Sequence, residues 1–229
     1  MPPLAPPKSG RAVLVVGATG LVGSEIIKKL VADTTVSRVV LAVRRPISGL
    51  GPKVEAKVVD FDHLERHADV FAVDQIFCAL GTTIREAGSQ EAFRRVDFEY
   101  PLNVARAGQK YGARHFLLVS SVGASADSGV FYSRVKGELE DQLRSLGYRA
   151  VTIARPSLLL GKRNEFRLIE RIGAVVGEFV PGRFRPVHAE AVARSLVRAA
   201  QIDAPGLHII ESEEIRTGVD PSRAGEVPV

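Results

Sequence analysis

The sequence predicts an α/β fold built on a doubly wound parallel sheet, and three observations lead there. Short β-branched and aromatic runs alternate with amphipathic stretches along most of the chain. The strand-like runs are continuously apolar, so both of their faces need covering, which is the mark of a parallel sheet with helices on each side. A glycine-rich turn joins the first run to the first amphipathic stretch.

In chain order, "AVLVV" ending at Val16 is the first strand and Leu21 to Ala32 the first helix. "RVVLAV", "VEAKVV" and "QIFCAL" are strands two to four, and Glu91 to Tyr111 is a helix. "HFLLVS" is the fifth strand, Phe131 to Leu146 a helix, and "RAVTIA" the sixth strand. Helix Ala189 to Ala200 leads to a seventh strand, "GLHII". Between Arg155 and Val187 the rhythm breaks into a helix-like piece, Glu165 to Val176, and the punctuated "GEFVPGRFRP", so residues 156–187 form a small substrate-side lobe. The proline-rich start, residues 1–10, is expected to be a disordered arm, 11–216 a single domain, and the polar 217–229 a flexible tail.

The 229 residues, 45% of them hydrophobic, are enough for one sizeable core. The single cysteine, Cys78, excludes an internal disulfide, and no leader is evident, so a cytoplasmic protein is expected. No apolar run is long enough to span a membrane. A net charge of +5 would suit nucleic acid, but the arginines are dispersed and no nucleic-acid-binding pattern accompanies them. The five histidines lack metal-ligand spacing, His63 and His67 being an exposed helix pair, so no metal site is expected.

"VVGATGLVGSEII" sets Gly17, Gly20 and Gly23 between first strand and first helix. Gly17 permits a tight turn, Gly20 lets backbone approach a pyrophosphate, and Gly23 lets the helix pack closely, while the helix N-terminus offers amides and a dipole. This is the dinucleotide turn of a Rossmann fold, and Thr19, Leu21 and Val22 belong to the same cofactor-binding segment. Where an NAD site commonly has an acidic residue, the second strand runs into Arg44 and Arg45, which suit a 2′-phosphate and so NADP(H). The alternative for this pair is two solvated side chains. Asp60, beside Phe61 at the end of the third strand, is placed to accept from the adenine amino group; a helix-capping role for Asp60 or Asp62 is the alternative. Ala79, Leu80 and Gly81 end the fourth strand next to the cofactor, and Pro156 follows the sixth.

"FYSRVKGELE" carries the proton chemistry. Tyr132 and Lys136 are one helical turn apart and share a face, beside a buried stripe of Val135, Leu139, Leu143 and Leu146. An ammonium beside a phenol favours phenolate and brings the tyrosine towards useful proton exchange near neutrality. The preceding strand ends in Ser120 and Ser121 at the ligand edge of a parallel sheet, where a hydroxyl can polarise a carbonyl; turn chemistry before Gly123 is the other account of these serines.

The chain, over roughly Arg11 to Ala200, resembles the atypical NAD(P)-binding members of the short-chain dehydrogenase/reductase superfamily. "CALGTTIREAGSQEAFRRVDFEYPLNVARAG", "FLLVSSVGA", "YSRVKGELE" and "RPSLLLGKR" are most similar to the human Tat-interacting-protein oxidoreductase family and its bacterial relatives. The resemblance implies a cofactor turn at Gly17, Gly20 and Gly23 and a proton-transfer group of Ser121, Tyr132 and Lys136, with Lys136 also near the cofactor. The second serine of the pair is the one that usually holds the role. Two departures stand out: the serine-to-tyrosine interval is 11 residues, shorter than in classical members, and the substrate segment is much smaller than in sugar-nucleotide epimerases. The expectation is an NADPH-dependent reductase or dehydrogenase of a small carbonyl or alcohol. The alternative is a non-catalytic NADPH-binding regulator read by a protein partner.

Overall fold

The computed structural model describes residues 10–160 and 182–218. Seven parallel strands form one sheet in the order β3-β2-β1-β4-β5-β6-β9. They are β1 (Arg11–Val16), β2 (Val36–Val43), β3 (Val54–Val58), β4 (Gln75–Cys78), β5 (His115–Val119), β6 (Ala150–Arg155) and β9 (Gly206–Glu211). The order reverses between β1 and β4, so their carboxyl ends flank the crevice where ligands bind in open sheets of this kind.

Continuous burial of strands such as β5 follows from helices on both faces. On one face, α1 (Leu21–Ala32) and α6 (Ala189–Ile202) bury Val22, Ile26, Leu30, Val192 and Leu196 against the sheet. On the other, α4 (Tyr100–Lys110) and α5 (Phe131–Arg144) bury Leu102, Val104, Leu139 and Leu143. Every predicted strand is present, with ends shifted by a residue or two where β4 and β5 stop short of the crevice.

The predicted helix Glu91 to Tyr111 is not one regular helix. It consists of α3 (Gln90–Arg94), a π turn over Arg95–Glu99, and α4. Pro101 has no N–H to give the carbonyl four residues back, and the Tyr100 amide bonds instead to the Arg95 carbonyl, five residues back. The wider turn carries Asp97 into full burial.

The His63/His67 reading is corrected likewise. His63 precedes a 3-10 helix, Leu64–Phe71, and His67 breaks it with non-helical backbone while its Nε2 accepts the Asp60 amide at 3.2 Å. A short α2 (Ile84–Ala87) follows β4.

Of the predicted lobe, 161–181 lies outside the described residues, as do 1–9 and 219–229. Its two ends are joined: β7 (Leu159–Leu160) pairs in parallel with β8 (Val187–His188). Ser157 Oγ donates to the Arg185 carbonyl, and Arg216 of α7 (Ser212–Thr217) donates to the Gly182 carbonyl at 2.7 Å.

Candidate active site

The glycine turn is built by close approach. Gly17 has φ +83°, and a Cβ there would sit 2.4 Å from the Ala79 carbonyl oxygen, so the turn lies directly against the end of β4. At Gly23 a Cβ would fall 2.1 Å from the Gly17 carbonyl oxygen, so this glycine packs the helix onto the turn itself. Gly20 is different: its Cβ position meets only the Gly17 carbonyl, at 3.3 Å, and is otherwise open. Helix α1 has neither a side-chain cap nor an acidic residue in its first turn, so among the described residues no anion caps the amides of Leu21, Val22 and Gly23 or opposes the positive end of the helix dipole. That is a cradle suited to a pyrophosphate. The Val22 side chain is core, which leaves its amide for a ligand.

Arg44 and Arg45 are exposed at the end of β2, with no acidic partner among the described residues. Asp60 is exposed and its Oδ1 accepts the Asp62 amide at 3.0 Å, an Asx turn rather than a helix cap. Asp62 caps nothing either: it accepts from Arg95 at 2.6 Å and Tyr100 Oη at 3.3 Å, and the Arg95 guanidinium holds its carboxyl below the usual range. Phe61 is buried with its ring 5.5 Å from that of Tyr100. Arg44 and Arg45 follow β2, and Asp60 and Phe61 follow β3, on the other side of β1 from β5 and the helix that carries Tyr132.

At the other end, Lys136 is not on the edge of the core as its spacing suggested. It is 3% exposed, and its Nζ lies 2.7 Å from Asp97 Oδ1, while Oδ2 of the same carboxylate accepts the Thr82 amide at 2.9 Å. Burial works to lower the lysine pKa, but the Asp97 carboxylate more than reverses this, with Tyr132 and Cys78 adding to it, so the ammonium is held above its ordinary range. Gly81 lies over the pair, its Cβ position 3.5 Å from Asp97 Oδ1 and 3.8 Å from Lys136 Nζ. The cofactor-side glycine and the predicted lysine therefore meet. Cys78 is core, its thiol pushed up to about 11 by burial.

Tyr132 is part-buried one turn before Lys136, with the Phe93 ring 5.4 Å away. Among the described residues Ser121 Oγ has only a marginal contact, 3.5 Å to the Val122 carbonyl. Its loop is tied to Pro156, whose carbonyl accepts the Val122 amide at 2.9 Å, and packs on α5 at Gly137, where a Cβ would fall 2.1 Å from the Ser125 carbonyl carbon.

Ser120 points the other way, into a buried network absent from the sequence reading. It donates to Glu140, which Arg155 grips through Nε at 3.2 Å and Nη2 at 2.5 Å, and Arg155 also reaches Glu211 at 2.9 Å. Glu140 lies one turn beyond Lys136, so Tyr132, Lys136 and Glu140 share one face of α5. Their four-residue repeat was the available signal for Glu140. For Asp97 the signal was Pro101 inside a helical pattern.

The sheet order, the crevice and the open glycine turn define a Rossmann-type dinucleotide-binding protein. A family model described as NAD(P)H-binding matches residues 17–203. The chain is 34% identical over 211 residues to "Protein FMP52, mitochondrial" of Eremothecium gossypii, covering 88% of this chain and 94% of that protein. It is 36% identical over 161 residues to "Protein HTATIP2" of Rattus norvegicus, covering 69% and 66% respectively. In fold it is similar to the UDP-glucose 4-epimerase of Thermotoga maritima with UDP-glucose, at TM-score 0.67 and 17% identity, covering 87% of this chain and 76% of that one. It is also similar to MoeE5 in complex with UDP-glucuronic acid and NAD, at TM-score 0.68 and 21% identity, covering 87% and 75%. The chain belongs to the NAD(P)H-binding family, as an atypical member of the short-chain dehydrogenases/reductases.

The cytoplasmic expectation does not stand against these relatives, since fungal ones are named mitochondrial. A single cysteine cannot form an internal disulfide in any compartment, so its count does not tell one compartment from another.

Proposed function

We propose that the protein is an NADPH-dependent oxidoreductase that interconverts a small carbonyl and its alcohol, with Tyr132 as proton donor and acceptor. The observation that carries this reading is the convergence of a glycine turn with no capping anion among the described residues, Gly81 and the buried Lys136 at one crevice, with Tyr132 one turn away. The amides of Leu21, Val22 and Gly23 would hold the pyrophosphate, Arg44 and Arg45 the 2′-phosphate, and Asp60 the adenine amino group. The bound nicotinamide supplies or takes the hydride. Ser121 polarises the substrate carbonyl, and Tyr132 Oη gives its proton to the oxygen as negative charge develops there. Lys136 holds positive charge beside that phenol.

The test is loss of nicotinamide absorbance from NADPH across a panel of aldehydes, ketones and sugar nucleotides, followed by Tyr132→Phe on whatever substrate responds. A Tyr132→Phe variant with full turnover would sink the assignment. A second reading, an NADPH-binding regulator that reports cofactor occupancy to a protein partner, draws on the Asp97 carboxylate, which already engages the Lys136 ammonium. Tight NADPH binding with no turnover on any of the panel would favour it.

A further inference from the structure

We propose that Asp97 is a positioning and charge-compensating residue: it holds the Lys136 ammonium and offsets its charge, so that Tyr132 keeps its proton to a higher pH than it would beside an unpaired lysine. This deepens the reading of Tyr132 as the proton-transfer group, but it concerns only how the phenol titrates.

The geometry is specific. Asp97 is completely buried, lies within the π turn, and divides its carboxylate between the Lys136 ammonium and the Thr82 amide. A lone ammonium would stabilise the Tyr132 phenolate, whereas an ammonium with a carboxylate at contact distance presents a dipole, whose field falls off faster with distance. Other groups around the phenol do not replace that compensation. From β4 comes the Cys78 thiol, neutral at ordinary pH because burial raises it. Within α5, Arg134 is turned to the Ser128 carbonyl at 3.0 Å, and Glu138 is paired across 2.6 Å with Arg94 of α3. Asp127 and Ser121 lie on the loop after β5, the aspartate exposed to solvent.

The composition makes the test direct. The chain has no tryptophan and four tyrosines, so tyrosinate absorbance can be followed through a pH titration without substrate. Burial raises Tyr148, and burial followed by the Asp62 charge raises Tyr100. Subtracting the titration of the same protein carrying Tyr132→Phe isolates the Tyr132 phenol. Asp97→Asn keeps shape and an acceptor for the Thr82 amide while removing the charge, and should lower the Tyr132 midpoint by about one pH unit, a tenfold change in proton affinity. An unchanged or raised midpoint overturns the proposal.

Should Asp97→Asn fail to fold, the doubly neutral protein, Asp97→Asn with Lys136→Met, is compared with the unchanged one. If the carboxylate offsets the ammonium, the two Tyr132 midpoints should lie close together, and a midpoint about one unit higher in the doubly substituted protein overturns the proposal. Absence of turnover on every substrate would defeat the oxidoreductase reading without moving these midpoints, so the two failures are distinguishable.

Discussion

Ser120 Oγ donates to Glu140 Oε1 across 2.5 Å, tying the residue before Ser121 to the helix that carries Tyr132. Glu140 is 1% exposed and also receives the Arg155 guanidinium, whose proton it holds more tightly than usual through this hydrogen bond. Glu140→Gln should therefore destabilise the fold by about 3 kcal/mol, because it removes the buried charge partner of the Arg155 guanidinium and leaves only the more exposed Glu211. Ser120→Ala should cost less, about 1 to 2 kcal/mol. Urea denaturation measures both, and equal, negligible effects would remove this network as a support of the site.

Tyr132→Phe should retain the fold and NADPH affinity while turnover falls by about 10²- to 10⁴-fold, since only a hydroxyl is lost. Ser121→Ala should lower turnover with little effect on NADPH binding. Steady-state kinetics alongside calorimetry separates these outcomes.

Arg44→Ala with Arg45→Ala should weaken NADPH by about 1 to 3 kcal/mol and leave NADH nearly unchanged, as the lost contacts are to the 2′-phosphate. Isothermal titration with each cofactor reads this directly. Equal losses for both would assign the arginines another role.

His115 is 1% exposed, between Asp203 Oδ1 and Thr152 Oγ1, each 2.9 Å away. Burial brings its pKa down to about 4, against the opposing pull of the Asp203 carboxylate. The folded pKa thus lies below the unfolded value of about 6.5, and between these two values the unfolded chain binds more protons. Stability from this group is full above that window and is lost as pH falls through it, by about 3 kcal/mol at most. Denaturation midpoints measured from pH 7 to 4 should show the loss, and His115→Gln should flatten it.

Gly23→Ala should destabilise the protein by about 1 to 3 kcal/mol and impair dinucleotide binding, because the added carbon meets the Gly17 carbonyl at 2.1 Å. Gly51→Ala, where nothing lies within 4 Å, should be neutral or slightly stabilising. Thermal melts with and without NADPH compare the two.

The strand and helix succession, the glycine turn and the one-turn spacing of Tyr132 and Lys136 are legible in the residues alone. These are local properties: apolar periodicity, residues that permit or forbid particular backbone angles, and neighbours within one helix. The burial of Lys136 against Asp97, the inward turn of Ser120 to Glu140 and Arg155, and the cover of Gly81 over the lysine–aspartate pair come from the packing of distant elements. Asp97 and Lys136 are 39 residues apart in sequence and meet because a π turn rotates the aspartate towards α5. Hydrophobic periodicity says which face of a helix is buried, but a buried charge is stable only where a distant partner meets it, and that partner is set by how the elements pack.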